Sequence, residues 1–201
     1  MNESANTISL EALKAGDREA FAKLVEMTSA QIYRMMLRIL GDQQDAEDVL
    51  QETYIKAFRS LPDFEGRSSV TTWLYRIAVN EALMLVRKRK PQAISVDDDS
   101  SFDPETEIDA LEITDFCCLP EGELLSSESR RFLDQAVQNL PENIRVVFVM
   151  RDQEGLSIQK TAQALDLSES NVKTRLLRAR LQLRQELSVY FRGKVQEENR
   201  R

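Results

Sequence analysis

The 201 residues, 42% hydrophobic and 30% charged with a formal net charge of −7, have enough apolar mass for one large or two small cores, which excludes a wholly disordered chain. No apolar stretch approaches the ~18 residues needed to cross a bilayer, and MNESANTISLEALKAGD at the N-terminus has no basic segment followed by an apolar run, so a cytoplasmic protein without membrane insertion is expected. The charge is unevenly spread: residues 1–90 balance 13 basic with 13 acidic groups, residues 91–128 hold 12 acidic and no basic groups, and residues 129–201 hold 14 basic against 9 acidic, so the overall acidity says little about what the two ends bind.

Apolar residues recur at helical spacing from Ser9 to Leu40, through Leu10, Leu13, Phe21, Leu24, Val25, Thr28, Ile32, Met35, Met36 and Ile39, with Asp17 as N-cap of the longer helix and Gly41 as its stop. The next stretch, DAEDVLQETYIKAFRSL at 45–61, is the one the chain is organised around. At about 100° per residue its wheel gathers Ala46, Val49, Leu50, Thr53, Tyr54 and Ala57 on a core-facing stripe. The opposite side carries Asp48, Gln51, Glu52, Ile55, Phe58 and Arg59, so two large apolar groups stand among charges. On the wheel alone, either a second layer of the same domain or a separate partner covers them. The Pro, Gly and two serines of LPDFEGRSS predict a loop, with Ser68 or Ser69 capping a helix over roughly 70–90 that turns Trp73, Leu74, Ile77, Ala78 and Leu85 inward. Its last turn, Arg87-Lys88-Arg89-Lys90, is more cationic than the helix dipole requires and points to phosphates.

Residues 91–128 show no sustained period and a dense acidic run at Asp97-Asp98-Asp99, so they are expected to be a linker with a span of roughly 35 Å if flexible, long enough for its neighbours to occupy separate sites. A tether of this charge beside a basic domain is also a candidate electrostatic shield. The adjacent Cys117 and Cys118 suit neither a disulfide framework nor a C-x-x-C zinc site, and the chain has no histidine; no metal and no cofactor are expected. Helical periodicity returns through Phe132, Leu133, Ala136, Val137 and Leu140, breaks at Pro141 and resumes to Gly155. A helix from Ser157 to Leu165, a turn at Asp166-Leu167-Ser168 and a long helix from about Glu169 to Tyr190 then form a helix-turn-helix pattern, in which Ala162 permits close approach and Val172 and Leu176 face the core. Asp166 stands where such turns often have glycine, and Asp tolerates the left-handed conformation better than most residues. The long helix displays Lys173, Arg175, Arg178, Arg180 and Arg184, a face suited to base edges near its start and to phosphates further on.

Two blocks carry a family resemblance. DAEDVLQETYIKAF followed by FEGRSSVTTWLYRIAVNEAL resembles regions 2.1 to 2.4 of the extracytoplasmic-function (ECF) sigma factors, the smallest members of the bacterial sigma-70 family, and LPENIRVVFVMRDQEGLSIQKTAQALDLSESNVKTRLLRARLQLR is similar to their region 4. The resemblance implies an all-α fold of two small helical domains, region 2 at 1–90 and region 4 at 129–201, joined by the acidic linker at 91–128. It implies a promoter-specificity subunit with no catalysis of its own. Core RNA polymerase, through its beta and beta-prime subunits, would bind Asp48, Gln51, Glu52, Ile55, Phe58 and Arg59. Minus-ten DNA would meet Arg67, Ser68, Ser69, Arg76, Asn80, Arg87 and Lys88, with Asn80 at the pocket for a flipped base, whereas from the residues alone Asn80 reads as an interior amide satisfied by local backbone. Minus-thirty-five DNA would meet Ser170, Lys173, Thr174, Arg175, Leu177 and Arg178. A cognate anti-sigma factor is a further implied partner.

Three other classes fit less of the chain. A helix-turn-helix regulator with an effector domain would share the C-terminal half but leaves Gln51, Glu52 and the FEGRSS loop unexplained. An enzyme finds little support, since the sequence has no histidine, no P-loop, no Gly-rich phosphate loop and no metal-ligand spacing. An adaptor that only scaffolds proteins predicts no promoter-dependent transcription with core polymerase.

Overall fold

The computed structural model describes residues 9–89 and 127–198, and the described residues are helical with no strand. Residues 91–126 of the expected linker, with Lys90, Cys117 and Cys118, lie outside them, while its last two residues, Ser127 and Glu128, already belong to a helix. Among the described residues no helix is long and apolar enough to cross a membrane.

The first four helices begin where short polar side chains satisfy the unpaired amides of a helix start. Ser9 caps α1 (Leu10–Lys14), and the Asp17 carboxylate accepts from the amides of Glu19 and Ala20 at 2.8 and 3.2 Å to open α2 (Arg18–Leu40). The expected period from Ser9 to Leu40 is therefore two helices, parted at Gly16. Gly41 ends α2 in the left-handed conformation at φ 72°. Asp42 caps α3 (Gln43–Ser60), and the Ser69 hydroxyl accepts from Thr72 N at 3.1 Å to start α4 (Val70–Arg89).

Helices α2, α3 and α4 pack against one another around Ile32, Met35, Met36, Ile39, Leu74, Ala78, Val79 and Ala82, all fully buried. Each of the larger ones contributes about 1.5–3 kcal/mol from water exclusion. Of the stripe expected on α3, Ala46, Val49, Thr53 and Ala57 are buried, while Leu50 and Tyr54 are half-buried against the same core. Polar groups at the layer boundary are paired: Thr28 Oγ1 lies 2.7 Å from the Tyr54 hydroxyl, and the Tyr75 hydroxyl donates to Gln31 Oε1 at 2.6 Å. Trp73 packs on Phe64 with ring centres 5.1 Å apart, which folds the loop back on the start of α4.

Burial, aided by the nearby Glu154 charge, pushes the Tyr75 phenol up from 10.0 to about 12. The unfolded chain loses this proton first. Stability should therefore fall between about pH 10 and pH 12, by on the order of 2 kcal/mol. Denaturant titrations across that range should show the fall in the wild type and a flatter profile in Tyr75→Phe; equal profiles would remove Tyr75 as the cause.

The second half begins with α5 (Ser127–Asn139) and, after Pro141, α6 (Glu142–Phe148). The expected uninterrupted helix to Gly155 departs from ordinary pitch, because Val149–Gln153 forms a π-helical turn. Ser157 caps α7 (Ile158–Leu165), Asp166 closes it in the left-handed conformation at φ 56°, and α8 (Glu169–Glu198) comes next. Val147, Ala162, Val172 and Leu176 make a small core inside this helix-turn-helix.

The linker length allows the two halves to occupy separate sites, and in this structure they are in contact. Helix α2 meets α5, α6 and the π turn, α4 runs against α7, and one apolar cluster continues from Leu13 to Leu183 across both halves. The reason is an apolar and polar fit that periodicity within single helices does not reveal.

Candidate functional site

Helix α3 has a buried face and an open one. On the open face Asp48, Gln51, Ile55, Phe58 and Arg59 are exposed and Glu52 is half-exposed, with Ile55 at 44% and Phe58 at 41% of full accessibility. No second layer among the described residues covers Ile55. Phe58 is steadied edge-on by Phe21, ring centres 4.9 Å apart, which holds an aromatic group at the surface instead of letting it fold inward. Beside this face Lys56 bridges Glu52 on its own helix, at 3.6 Å, to Glu81 on α4, at 2.6 Å, and the Glu81 hydrogen bond raises the lysine above its ordinary pKa. All six residues expected here lie on one helix.

The seven residues expected at minus-ten DNA are spread over the loop and the length of α4. Arg67 is exposed and pairs with Glu65, while Ser69 is occupied as the helix cap and shares a 2.8 Å hydrogen bond with the Thr72 hydroxyl. Arg76 and Asn80 are exposed one turn apart on α4, so Asn80 is not the interior amide that the residues alone suggest. Arg76 does not stand alone: its guanidinium lies 3.3 Å from the carboxylate of Asp166, the turn residue of the other half. Arg87 and Lys88 are exposed in the last turn, about 16 Å further along the axis than Arg76.

The cationic run at the end of α4 needs a correction. Arg89 forms a two-pronged ion pair with Asp45, whose carboxylate is buried in the first turn of α3. Helices α3 and α4 run antiparallel here, so the positive start of one meets the negative end of the other and each charge sits where the local dipole favours it. Only Arg87 and Lys88 of the described cations in this run remain directed outward. The pair was missed because the wheel assigns Asp45 a face without naming its partner 44 residues away; an acid in the first turn of one helix and a base in the last turn of its neighbour was the available signal.

In the second half α8 begins directly after the turn, which projects its first residues from the domain. Ser170 and Lys173 are exposed, and Thr174, Arg175, Leu177 and Arg178 are half-buried. Arg175, Arg178 and Arg184 each make a polar or ionic interaction. Arg180, expected on the displayed cationic face, is instead held by Asp152 through two 2.9 Å hydrogen bonds, which raise its pKa and tie α8 to the π turn. Deeper in, Arg145 donates to the Gln138 carbonyl and side-chain oxygens, both at 2.8 Å, and burial lowers its pKa. Among the described residues no cluster of three or more His, Cys, Asp or Glu is placed to hold a metal ion.

Comparison with known proteins bears on both halves. The family described as Sigma-70 region 2 matches residues 24–92, and that described as Sigma-70, region 4 matches residues 131–183. The ECF RNA polymerase sigma-E factor of Haemophilus influenzae is 35% identical over 175 residues, covering 85% of this chain and 89% of that one. The sigma factor SigW of Bacillus subtilis is 33% identical over 175 residues, covering 87% and 92%. Among solved structures, CnrH in complex with the cytosolic domain of CnrY superposes with a TM-score of 0.63 at 22% identity, covering 90% of this chain and 95% of that one. The sigma factor RpoE in complex with the anti-sigma factor NepR, from Bartonella quintana, gives 0.62 at 22%, covering 85% and 98%. At that identity these two likenesses speak to the fold.

Proposed function

The chain belongs to the ECF sigma factors of the sigma-70 family, and from that premise we propose how its surfaces divide the work of promoter-specific transcription initiation. As a sigma factor it is not an enzyme; it binds core RNA polymerase and promoter DNA. The open face of α3 is the polymerase-docking surface, carried by the observation that Ile55 and Phe58 are exposed on a helix whose other side packs on the core. The loop before α4 and the exposed groups Arg76, Asn80, Arg87 and Lys88 face minus-ten DNA, with Asn80 offering a donor and an acceptor to a base freed by strand separation. The exposed start of α8 reads minus-thirty-five DNA through Ser170, Lys173, Thr174, Arg175, Leu177 and Arg178. The reading places the protein in the cytoplasm with its polymerase. It also includes control by an anti-sigma factor, since the RpoE sigma factor of similar fold was solved bound to its anti-sigma factor NepR. A bound anti-sigma factor would act by covering the α3 face.

Run-off transcription with core polymerase on a library of promoters tests the function and the specificity together. Within that assay, Arg178→Ala should change base preference at the minus-thirty-five element by about 1–3 kcal/mol of discrimination, whereas Arg184→Ala, some 9 Å further along α8, should weaken all promoters alike and lower the salt slope by about 1. Equal, sequence-independent losses would take the reading role away from Arg178.

A further inference from the structure

Helix α4 opens only a narrow stripe to solvent. Along Val70–Arg89 the exposed residues are Arg76, Asn80, Met84, Arg87, Lys88 and Arg89, and every other residue of the helix is buried or half-buried. Arg76, Asn80, Arg87 and Lys88 are the groups assigned to minus-ten DNA, and Arg89 is engaged by Asp45. Met84 is left over. At 47% exposure it is the one large apolar side chain of α4 that stands open.

A single exposed methionine is ordinary on a protein surface, so its company decides what it means. Arg76, Asn80, Met84 and Lys88 succeed one another every four residues and therefore form one ridge. Met84 sits about 6 Å beyond Asn80 along the axis and about 6 Å short of Lys88, a little under two base steps each way. The acid of this helix, Glu81, is turned aside: its side chain is 15% exposed and is held by Lys56 at 2.6 Å. The ridge is thus cationic at both ends, free of carboxylates, and apolar at one point between. Its charge draws a polyanion, and its apolar point falls where that polyanion carries bases.

The chemistry of the side chain narrows what it can meet there. Methionine has no hydrogen-bonding group with which to read the edge of a base. The C5-methyl of thymine is the feature of the four bases that an apolar side chain can tell from the rest. An unbranched thioether adapts to such a contact better than a branched chain does. Asn80 reads by donor and acceptor, and Arg87 and Lys88 hold phosphates, so Met84 adds a kind of discrimination that the rest of the ridge lacks.

We propose that Met84 is a specificity-determining residue of the minus-ten surface, whose side chain packs on the C5-methyl of a thymine within two steps of the base taken by Asn80. The proposal rests on the assignment of α4 to minus-ten DNA and adds a base preference to it.

Holoenzyme assembled from core polymerase and the full chain is tested on a promoter taken from the run-off library. Each thymine of its minus-ten element, on either strand, is replaced in turn by uracil, which lacks only the methyl. At one thymine the replacement should weaken promoter binding by wild-type holoenzyme about four-fold, as the loss of one buried methyl implies. Met84→Ala and Met84→Gln should bind the thymine promoter more weakly by a similar factor and should not tell thymine from uracil there, whereas Met84→Leu should keep the difference. Circular dichroism of the free variants should match the wild type, since the side chain is not part of the core; if Met84→Ala fails to fold, Met84→Gln decides. Selected promoters without a thymine within two steps of the Asn80 base, a uracil effect as large in the variants as in the wild type, or equal weakening on every sequence, as for packing on a sugar, would overturn the role of Met84. Lys88→Ala tests the underlying assignment separately and should weaken all promoters alike, lowering the salt slope by about 1. If Lys88→Ala changes nothing, DNA does not lie along α4 and both readings fall. If it weakens binding while the Met84 variants still distinguish thymine from uracil, only the reading by Met84 falls.

Discussion

Ile55→Asp is expected to weaken the binding of core RNA polymerase by about 30-fold or more while leaving the fold intact. An apolar anchor at the centre of an interface is worth ~2 kcal/mol or more on truncation, and a buried aspartate in its place adds the cost of desolvating a charge. In the free protein Ile55 is 44% exposed on the side of α3 away from the core, so the same change should cost no more than about 0.5 kcal/mol of stability. Phe58→Ala is the less clean variant, because it also removes the ring contact with Phe21. Titration of labelled core polymerase, beside thermal melting of the free protein, separates binding from folding. Wild-type affinity in folded Ile55→Asp would remove α3 as the docking helix.

The second large effect concerns stability and is asymmetric. Asp45 is 5% exposed, whereas the Arg89 side chain that pairs with it is 57% exposed. Arg89→Ala strands a buried carboxylate with only the start of α3 to offset it, and should cost about 2–3 kcal/mol, or roughly 5–10 °C in melting temperature. Asp45→Asn releases an arginine that can return to water and should cost less than half as much. Urea unfolding of the two variants measures the order directly. The opposite order would mean that Asp45 stabilises the start of α3 without needing Arg89, and would return Arg89 to the cations available for phosphates.

The features that the sequence made legible are those decided within a few residues. Asp17 and Ser69 cap helices, and Gly41 and Asp166 close them, because each acts on backbone groups no more than four positions away. The two faces of α3 were legible for the same reason, since 3.6 residues per turn fix which side chains share a side. Long charged side chains were another matter. Arg38, Arg76, Arg89 and Arg180 each reach a carboxylate 28 to 116 positions away, and only the docking of whole helices determines which. Local composition read Arg89 and Arg180 as displayed cations, and both are exposed, but it could not show that each is paired with a carboxylate. The length of the acidic linker likewise says how far the halves can part and nothing about whether they fit. The roles of the residues on α4 and α8 came from the family resemblance; periodicity places them on a face and does not say what meets it.

The π turn at Val149–Gln153 acts as a gear between two sets of partners. Taking up one more residue per turn than its flanks, it rotates the residues beyond it by roughly 100° relative to a regular helix. Across it Asp152 pairs at the surface with Arg180 on α8, while Gln153 and Glu154, the next two residues, reach across to Arg38 on α2. The length of this five-residue stretch therefore matters as well as its composition: removing one residue should leave Gln153 and Glu154 in the protein but turn them away from Arg38.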